Sequence, residues 1–178
     1  MNPPDGKVLR QFEDFYRNNL SALSRYVARR VPPSSHDEVV AAAFVAAWKK
    51  FASVETPSLP WLYRIASFEV SHERRRLGRT PMSVELPDLR ATDEFDLADV
   101  IDISKAFAAL SASDQEVLRL IYWESLSRSD AAEVLGCSVN ALNVRLYRAH
   151  SRLRTTIPNC AQPVESTAPQ APPFKEES

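Results

Sequence analysis

Residues Ser127–Arg154 read SRSDAAEVLGCSVNALNVRLYRAHSRLR and contain the most regular pattern in the chain. The stretch opens on Ser127, a residue type that caps helices by accepting hydrogen bonds from free backbone amides. The small pair Ala131-Ala132 allows two helices to cross closely, and Gly136 supplies the positive φ that a tight turn between helices needs. Ser138 is suited to cap the helix that follows. The stretch therefore predicts a helix-turn-helix.

The second helix of this motif has two different faces. Apolar residues recur at helical spacing and are expected to face the core: Val139, Leu142, Leu146, Ala149 and Leu153. The other face carries amides and guanidinium groups, which make paired hydrogen bonds to base edges early in such a helix and meet phosphates later. The predicted duplex-DNA residues are Ser138, Asn140, Ala141, Asn143, Val144, Arg145, Arg148 and Arg152. The alternative is an ordinary solvated helix face. It is disfavoured because the alanine pair, the glycine turn and the serine cap all occur at the positions that a helix-turn-helix requires.

The regular secondary structure of the chain is expected to be all helical. It has only three glycines, and its thirteen prolines fall outside the periodic apolar stretches or at their first turns, as expected because proline breaks helix interiors. Helices are predicted at 7–30, 36–51, 60–76, 97–110, 114–124, 128–135 and 139–154. Pro32-Pro33 should end the first, Ser35–Glu38 should cap the second, Pro60 should lie in the first turn of the third, and Ser113–Glu116 should cap the fifth.

The domain boundaries follow from composition. Residues 78–98 are acidic, contain Pro81 and Pro87, and are predicted to be a linker between helical domains at 7–77 and 99–157. Residues 158–178 are rich in proline and poor in large apolar side chains, which predicts a disordered tail. The fold class is thus all-α: two small helical domains joined by an acidic linker, with the helix-turn-helix in the second.

Charge is distributed in blocks although the net charge is only −1. Residues 1–76 carry twelve Lys/Arg against eight Asp/Glu, residues 77–104 two against seven, residues 105–157 seven against five, and residues 158–178 one against three. Two basic blocks around an acidic one suggest two units that face a polyanion. Random scatter of surface charge is the alternative.

The helix predicted at 60–76 offers a second candidate surface. Its apolar stripe is expected to lie inside, whereas Arg64, Ser67, Ser71 and Arg74 share the other side. Cations interleaved with aromatic rings suit unpaired DNA, because bases stack on rings while phosphates meet arginines. For Trp61 a place in the core is favoured over base stacking.

Other classes of function find little support in the sequence. The chain has no run of about eighteen apolar residues and no apparent signal peptide. The chain has two cysteines without metal-ligand spacing and three dispersed histidines. We therefore expect no metal site and no disulfide framework, and the cysteine content predicts a cytoplasmic protein. Because phosphate-binding and dinucleotide-binding motifs are also missing, we expect no enzyme and no cofactor.

The order of motifs resembles an extracytoplasmic-function (ECF) sigma factor of the sigma-70 family, over about residues 10–77 and 104–155. The similarity is carried by five segments in the family's order: Phe12–Tyr16, Asp37–Trp48, Trp61–Ala66, Arg74–Arg76 and Leu126–Leu153. It implies a non-enzymatic initiation factor that binds core RNA polymerase, recognises minus-thirty-five and minus-ten promoter elements and promotes DNA melting.

The resemblance assigns a role to each segment. Docking on the β′ clamp helices of the polymerase is implied for Glu38, Val40, Ala41, Phe44 and Trp48. Capture of minus-ten bases flipped from the single strand is implied for Trp61, Tyr63, Arg64, Ser67, Phe68, Ser71, His72, Arg74, Arg75 and Arg76. The helix at 139–154 would read the minus-thirty-five duplex, and the acidic linker would cross the polymerase cleft. The resemblance also implies a contact with the β flap of the polymerase. Many relatives are kept inactive by an anti-sigma factor. The chain is expected to be a monomer that does not bind membranes.

The chain departs from the family pattern at several of these positions. It has Ala41-Ala42 where glutamine and glutamate are common, Ser67-Phe68 where arginine and asparagine are common, His72 in place of aspartate, and Asn143 in place of lysine. Two alternatives therefore stay open. One is a helix-turn-helix regulator that works without polymerase, and the other is a sigma-like adaptor that binds polymerase but does not initiate.

Overall fold

The computed structural model describes residues 6–78 and 97–156, with side chains described from residue 103 in the second range. Within these ranges the chain forms seven helices, which are α1 Gly6–Ala28, α2 Pro33–Phe51, α3 Leu59–Arg76, α4 Leu97–Ala109, α5 Ala112–Tyr122, α6 Arg128–Leu135 and α7 Val139–Thr156. The all-α prediction is confirmed. The predicted linker lies almost entirely outside the described residues and the predicted tail wholly so.

The helices α1, α2 and α3 form the N-terminal unit. Its core joins one apolar side of each helix, and the residues that are fully or almost fully buried include Leu23, Tyr26, Val27, Ala43, Ala47, Leu62, Ala66 and Val70. The alanines keep the backbones close, so that the larger side chains of the neighbouring helices interdigitate. A cluster of aromatic rings closes one end, where Phe12 contacts Trp48 and Phe51 at centroid distances of 4.9 and 5.1 Å.

The helices α4 to α7 form the C-terminal unit. Val117, Leu118 and Leu120 of α5 are buried with Leu142, Leu146 and Ala149 of α7. Val139 was predicted to face this core, but 42% of its surface is exposed. It is the first residue of α7, and the core-facing stripe begins only with the next apolar residue, Leu142.

Two helix starts differ from their predicted capping boxes. The second helix begins at Pro33 with Pro32 as its N-cap, and no side chain caps it. Ser35, predicted as the cap, is buried inside the first turn. Proline at the first helical positions has no amide that needs a partner. In α5 the cap is Ser111 instead of Ser113, and its hydroxyl accepts from the amide of Asp114 at 3.1 Å.

The two units pack directly against each other. Helix α6 lies along α3, and Arg64 of α3 donates to the backbone carbonyl of Glu133 in α6 at 3.0 Å. Deeper in the interface, arginines that follow α1 meet glutamates of α5 and of the turn after it. The interface therefore has polar and ionic contacts as well as apolar packing.

Candidate nucleic-acid interface

The turn before α7 sets the direction of its polar face. Gly136 ends α6 with φ 62° and ψ 39°, the left-handed conformation that favours glycine. The hydroxyl of Ser127 accepts from the amide of Asp130 at 3.1 Å, and that of Ser138 accepts from the amide of Ala141 at 3.2 Å. Both caps and the glycine turn agree with the sequence prediction. The helix-turn-helix geometry therefore follows from local sequence.

All eight predicted duplex-DNA residues are accessible on α7 and its cap. Asn140, Val144, Arg145 and Arg148 are exposed, whereas Ala141 and Asn143 are half-buried. Besides Ser138, whose hydroxyl caps α7, two of the eight have side chains engaged within the protein. Asn143 accepts through Oδ1 from Arg128 at 3.2 Å, and Arg152 pairs with the buried carboxylate of Asp114 at 2.5 Å.

Tyr147 belongs to this face although the sequence prediction did not select it. Its side chain is 76% exposed, the largest value among the exposed large apolar and aromatic side chains of the described ranges. It lies three residues after Val144, on the same side of the helix. Helical spacing placed it beside the predicted DNA-contacting face, although it was not chosen as a contact residue.

The DNA-facing side predicted for α3 is only partly open. Phe68 is 65% exposed, and exposed positions surround it: Arg64, Ser71, His72, Arg75 and Arg76. Ser67 and Arg74 are half-buried. Cations therefore flank an exposed aromatic ring, as the prediction requires.

Tyr63 was predicted on that surface and instead lies in the core. It is 2% exposed and stacks on Tyr26 with ring centroids 4.4 Å apart. Burial, with the nearby Glu124 carboxylate, raises the pKa of the Tyr63 hydroxyl to about 12. Trp61 is half-buried and packs on Phe15 at 6.0 Å, which agrees with the core position favoured for it.

Glu73 fixes the basic end of α3. Its carboxylate is buried and accepts from Arg76 at 2.7 and 2.8 Å. The hydrogen bonds from Arg76 and from Ser35 hold the pKa of Glu73 down at about 2. Ser35 thus ties the start of α2 to α3, which explains why it is buried instead of capping its own helix.

The predicted docking helix shows a different face from the one expected. Val40 and Phe44 are 8% and 5% exposed and belong to the core, so the surface position expected of docking residues is wrong for these two. Glu38 and Ala41 are exposed and Trp48 is half-buried. Val45, not predicted, is 54% exposed and follows Ala41 by one helical turn. Helix α2 therefore presents Glu38, Ala41 and Val45 outward.

A cleft of about 260 Å³ lies between α3 and α6. Its α3 side includes Arg64, Ser67, Phe68, Ser71 and Arg74, and its α6 side consists of the last residues of that helix and the turn glycine. A Cβ built on Gly136 would lie 3.3 Å from the Arg64 guanidinium. The cationic side of α3 therefore faces the helix-turn-helix at close range.

Four charged residues join the units, and two of them, Arg30 and Glu116, line this cleft. Arg30 is 1% exposed, and it binds Glu116 at 3.0 Å and Glu124 at 2.9 Å. Arg29 binds Glu124 at 3.1 Å. Burial is the largest single influence on the pKa of Arg30 and lowers it, but Glu116, Tyr26 and Glu124 together outweigh burial, so the pKa of the guanidinium is raised. We call Arg29, Arg30, Glu116 and Glu124 the ionic latch.

No group of histidine, cysteine, aspartate and glutamate in residues 6–78 and 97–156 is suited to hold a metal ion. Over the same part of the chain, no helix has the length and apolar character needed to cross a membrane.

Family models match both units in order. The model described as "Sigma-70 region 2" matches residues 15–80, and "Sigma-70, region 4" matches residues 101–153. The chain belongs to the sigma-70 family. Region 2 includes most of the N-terminal unit, and region 4 includes the helix-turn-helix of this sigma factor.

Curated relatives agree with this membership. The ECF RNA polymerase sigma-E factor of Haemophilus influenzae is 26% identical over 179 residues, covering 86% of the chain and 89% of that protein. The RNA polymerase sigma factor NccH of Alcaligenes xylosoxydans is 28% identical over 136 residues, covering 69% and 73%. The probable RNA polymerase sigma factor RfaY of Xanthomonas campestris is 26% identical over 154 residues, which cover 79% of the chain but span only 38% of that longer protein.

Two solved structures have a similar fold. The sigma factor RpoE of Bartonella quintana, in complex with the anti-sigma factor NepR, aligns with a TM-score of 0.63 and 26% identity over 83% of the chain and 96% of RpoE. CnrH, in complex with the cytosolic domain of CnrY, aligns with a TM-score of 0.60 and 25% identity over 83% and 87%. In both cases the alignment extends across the two units.

Proposed function

We propose that this sigma factor directs core RNA polymerase to promoters, with α7 on the minus-thirty-five duplex and α3 on the minus-ten single strand. The observation that supports this most strongly is that each matched region has an exposed surface that carries arginines, although the one on α3 is only partly open. The α7 surface offers amides and guanidinium groups for base edges and phosphates. The α3 surface offers an exposed ring among cations, which suits unstacked bases.

The exposed side of α2 is the proposed polymerase-docking surface. Glu38, Ala41 and Val45 share one face of the helix, and Trp48 at its border is supported by Phe12. An apolar centre with a charged rim is typical of a transient interface. The contacts with the β′ clamp helices and the β flap, and the passage of the acidic linker through the polymerase cleft, remain proposals.

Run-off transcription tests this function directly. Purified chain and core polymerase of the source cell are mixed with sheared genomic DNA, and the 5′ ends of the transcripts are sequenced. We expect starts at a small set of sites that share two spaced elements, and no such starts with core enzyme alone. Operator binding without polymerase would indicate a regulator, and polymerase binding without transcripts would indicate an adaptor.

We also infer that the chain has a protein inhibitor of the anti-sigma class. The support is the similarity to RpoE, whose structure contains an anti-sigma factor. Affinity-tagged chain isolated from source cells should bring down one stoichiometric partner. That partner, when purified, should suppress the run-off transcripts; a co-purified protein that leaves them unchanged would not be this inhibitor.

A further inference from the structure

We propose that the cleft between α3 and α6 binds a free nucleoside monophosphate, with the phosphate beside Arg74 and the base on the ring of Phe68. The inference goes beyond the proposed function, because it concerns a small molecule and is tested with the chain alone. Three observations carry it: the charge around the cleft, the unused donors on its wall and the position of one exposed aromatic ring.

The cleft lies in a region with an excess of positive charge. Three arginines and one glutamate line it, and the ionic latch adds one arginine and one glutamate beside it. Arg119 of α5 lies close enough to Arg30 and Arg74 to interact with both electrostatically. These residues supply five guanidinium groups against two carboxylates, an excess of three positive charges. A concave surface of one sign concentrates ions of the other sign, so an anion is the expected occupant.

The guanidinium of Arg119 shows that this excess is not fully compensated within the protein. Arg119 is only 4% exposed. Burial first, then Arg30 and also Arg74, lower the pKa of its guanidinium to about 10, although the glutamates of the ionic latch oppose this shift. Like charges held together in this way are relieved by an opposite charge nearby. A phosphate in the cleft supplies that opposite charge.

Arg74 is the side chain best suited to hold the phosphate. Its Nε donates to the carbonyl of Arg30 at 3.1 Å, which fixes the position of the guanidinium. The two terminal nitrogens have no partner among the residues that the structure describes. A guanidinium can bind a phosphate through two parallel hydrogen bonds of this kind. Ser71 lies on the same wall, and its hydroxyl, which donates to the Ser67 carbonyl at 2.7 Å, can rotate toward the phosphate.

Phe68 offers the surface for the base. Its ring lines the cleft and is 65% exposed. It lies six residues before Arg74, which is about 9 Å along α3 at about 1.5 Å per residue. The base and the phosphate of one nucleotide lie at opposite ends of its ribose, so a ring and a cation at this separation suit a single nucleotide. Bases of any sequence stack on such a ring.

The base end of the cleft also has a free donor. Arg64 lies one helical turn before Phe68 and lines the cleft. Its NH1 group donates to the carbonyl of Glu133 at 3.0 Å, whereas NH2 has no partner among the described residues. Arginine donates to the ring nitrogen and carbonyl oxygen on base edges. The cleft therefore has separate groups for the phosphate and for the base.

The size of the cleft limits the ligand to one nucleotide. Its volume of about 260 Å³ lies just below the range of about 300–1,000 Å³ that is usual for small-molecule sites. On the α6 side the wall is apolar and consists of Val134, Leu135 and Gly136. Gly136 leaves room there, because a Cβ at this position would come within 3.3 Å of the Arg64 guanidinium.

Isothermal titration calorimetry of the full chain tests the site. The probes are AMP, GMP, CMP and UMP, each titrated separately, with adenosine and inorganic phosphate as the two halves of a nucleotide. We expect at least one nucleotide to bind once per chain. Adenosine and phosphate should each bind roughly tenfold more weakly or less, because each keeps only one of the two main contacts.

Two adjacent arginines give a matched pair of variants. Arg74→Gln and Arg75→Gln remove the same charge from the same helix, but Arg74 lines the cleft whereas Arg75 lies on the exposed side. Arg74→Gln should lower the affinity for the nucleotide and for phosphate at least roughly tenfold, the loss of one charge-assisted contact. Arg75→Gln should leave both affinities unchanged. Circular dichroism shows whether each variant keeps its helices.

Phe68→Ala separates the base contact from the phosphate contact, and it removes an exposed ring that the core does not need. We expect roughly tenfold weaker binding of the nucleotide and unchanged binding of phosphate. This variant decides the question if Arg74→Gln loses helicity. Nucleotide binding that survives in Phe68→Ala overturns the proposal. Equal losses from Arg74→Gln and Arg75→Gln overturn it as well, since they indicate general attraction to cations, and so does the absence of binding by all four nucleotides.

Discussion

Arg145 and Arg148 lie on the exposed side of α7. We expect Arg145 to contact bases and Arg148 to contact phosphates. Arg145→Ala should reduce discrimination between correct and altered minus-thirty-five sequences, since a paired base contact is worth about 1–3 kcal/mol. Arg148→Ala should weaken binding to all sequences alike and reduce the slope of log affinity against log salt by about one. Anisotropy titrations of labelled duplexes at several salt concentrations measure both.

Lysine replacements are the matched controls for this pair. Arg148→Lys keeps the charge and should keep most of the affinity, whereas Arg145→Lys loses the planar fork and should lose discrimination. Equal losses on every sequence from both alanine variants would show that the division between base and phosphate contacts is wrong.

Glu73 gives the N-terminal unit a defined response to acid. Its pKa is about 2 in the folded chain against an ordinary 4.5, so the stabilisation is present above about 4.5. It is lost as pH falls from there toward 2, because protonation removes the bonds from Arg76 and Ser35. Thermal unfolding followed from pH 6 to pH 2 should therefore show a smaller fall in Tm for Glu73→Gln than for the parent.

Glu55→Gln is the control for this pH dependence, because Glu55 is an exposed carboxylate in the segment before α3. It should follow the parent curve. A Glu73→Gln variant that loses stability between pH 4.5 and 2 as steeply as the parent would show that other carboxylates cause the acid response.

At the level of elements, Gly136 has two functions. It ends α6 in the left-handed conformation, which costs other residues about 1–2 kcal/mol, and it leaves space for the Arg64 guanidinium. Gly136→Ala should therefore lower the free energy of unfolding by about 1–2 kcal/mol. Gly136→Asn should lose less, since asparagine tolerates this conformation better. Urea unfolding monitored by circular dichroism measures the differences.

Gly6→Ala is the contrasting substitution. Gly6 begins α1, and a Cβ there meets nothing within 4 Å. Alanine should be neutral or slightly stabilising, since it is the better helix former. If both glycine variants changed stability equally, the left-handed turn would not explain the effect at position 136.

The elements themselves were largely predictable from sequence. All seven helices lie where the apolar periodicity placed them, and α6 has the predicted bounds. The errors lie at ends and faces. The Ser35–Glu38 segment has the composition of a capping box, but tertiary contacts decided its role, because the Ser35 hydroxyl bonds Glu73, which is distant in sequence.

The candidate site was less predictable than the fold. Exposed residues of α7 follow from helical spacing, because the core side of that helix is clearly apolar. The sequence could not decide whether Tyr63, Val40 and Phe44 lie in the core or on the surface, since aromatic and aliphatic residues suit both a core and a binding surface. The ionic latch could not be predicted from the sequence for another reason. Arg30 and Glu124 are far apart in sequence, and each resembles an ordinary surface charge.

At the level of the whole molecule, the latch should couple the unfolding of the two units. The parent is expected to show one calorimetric transition near neutral pH, because separating the units breaks the ion pairs between them and exposes the apolar groups of the interface to water. Glu116→Gln combined with Glu124→Gln should give two transitions, or one that is broader than two-state. A single two-state transition in that variant would show that the apolar contacts between α3 and α6 couple the units without the latch.

The burial of arginines between the two units also affects how the free chain moves through a cell. Genomic DNA offers a vast excess of phosphates, and any protein with open cationic surfaces spends its time bound to them without regard to sequence. In this structure Arg29 and Arg30 bind glutamates and are largely buried. Fewer cations then face the solvent, so we expect the chain to diffuse past bulk DNA and to remain available for polymerase.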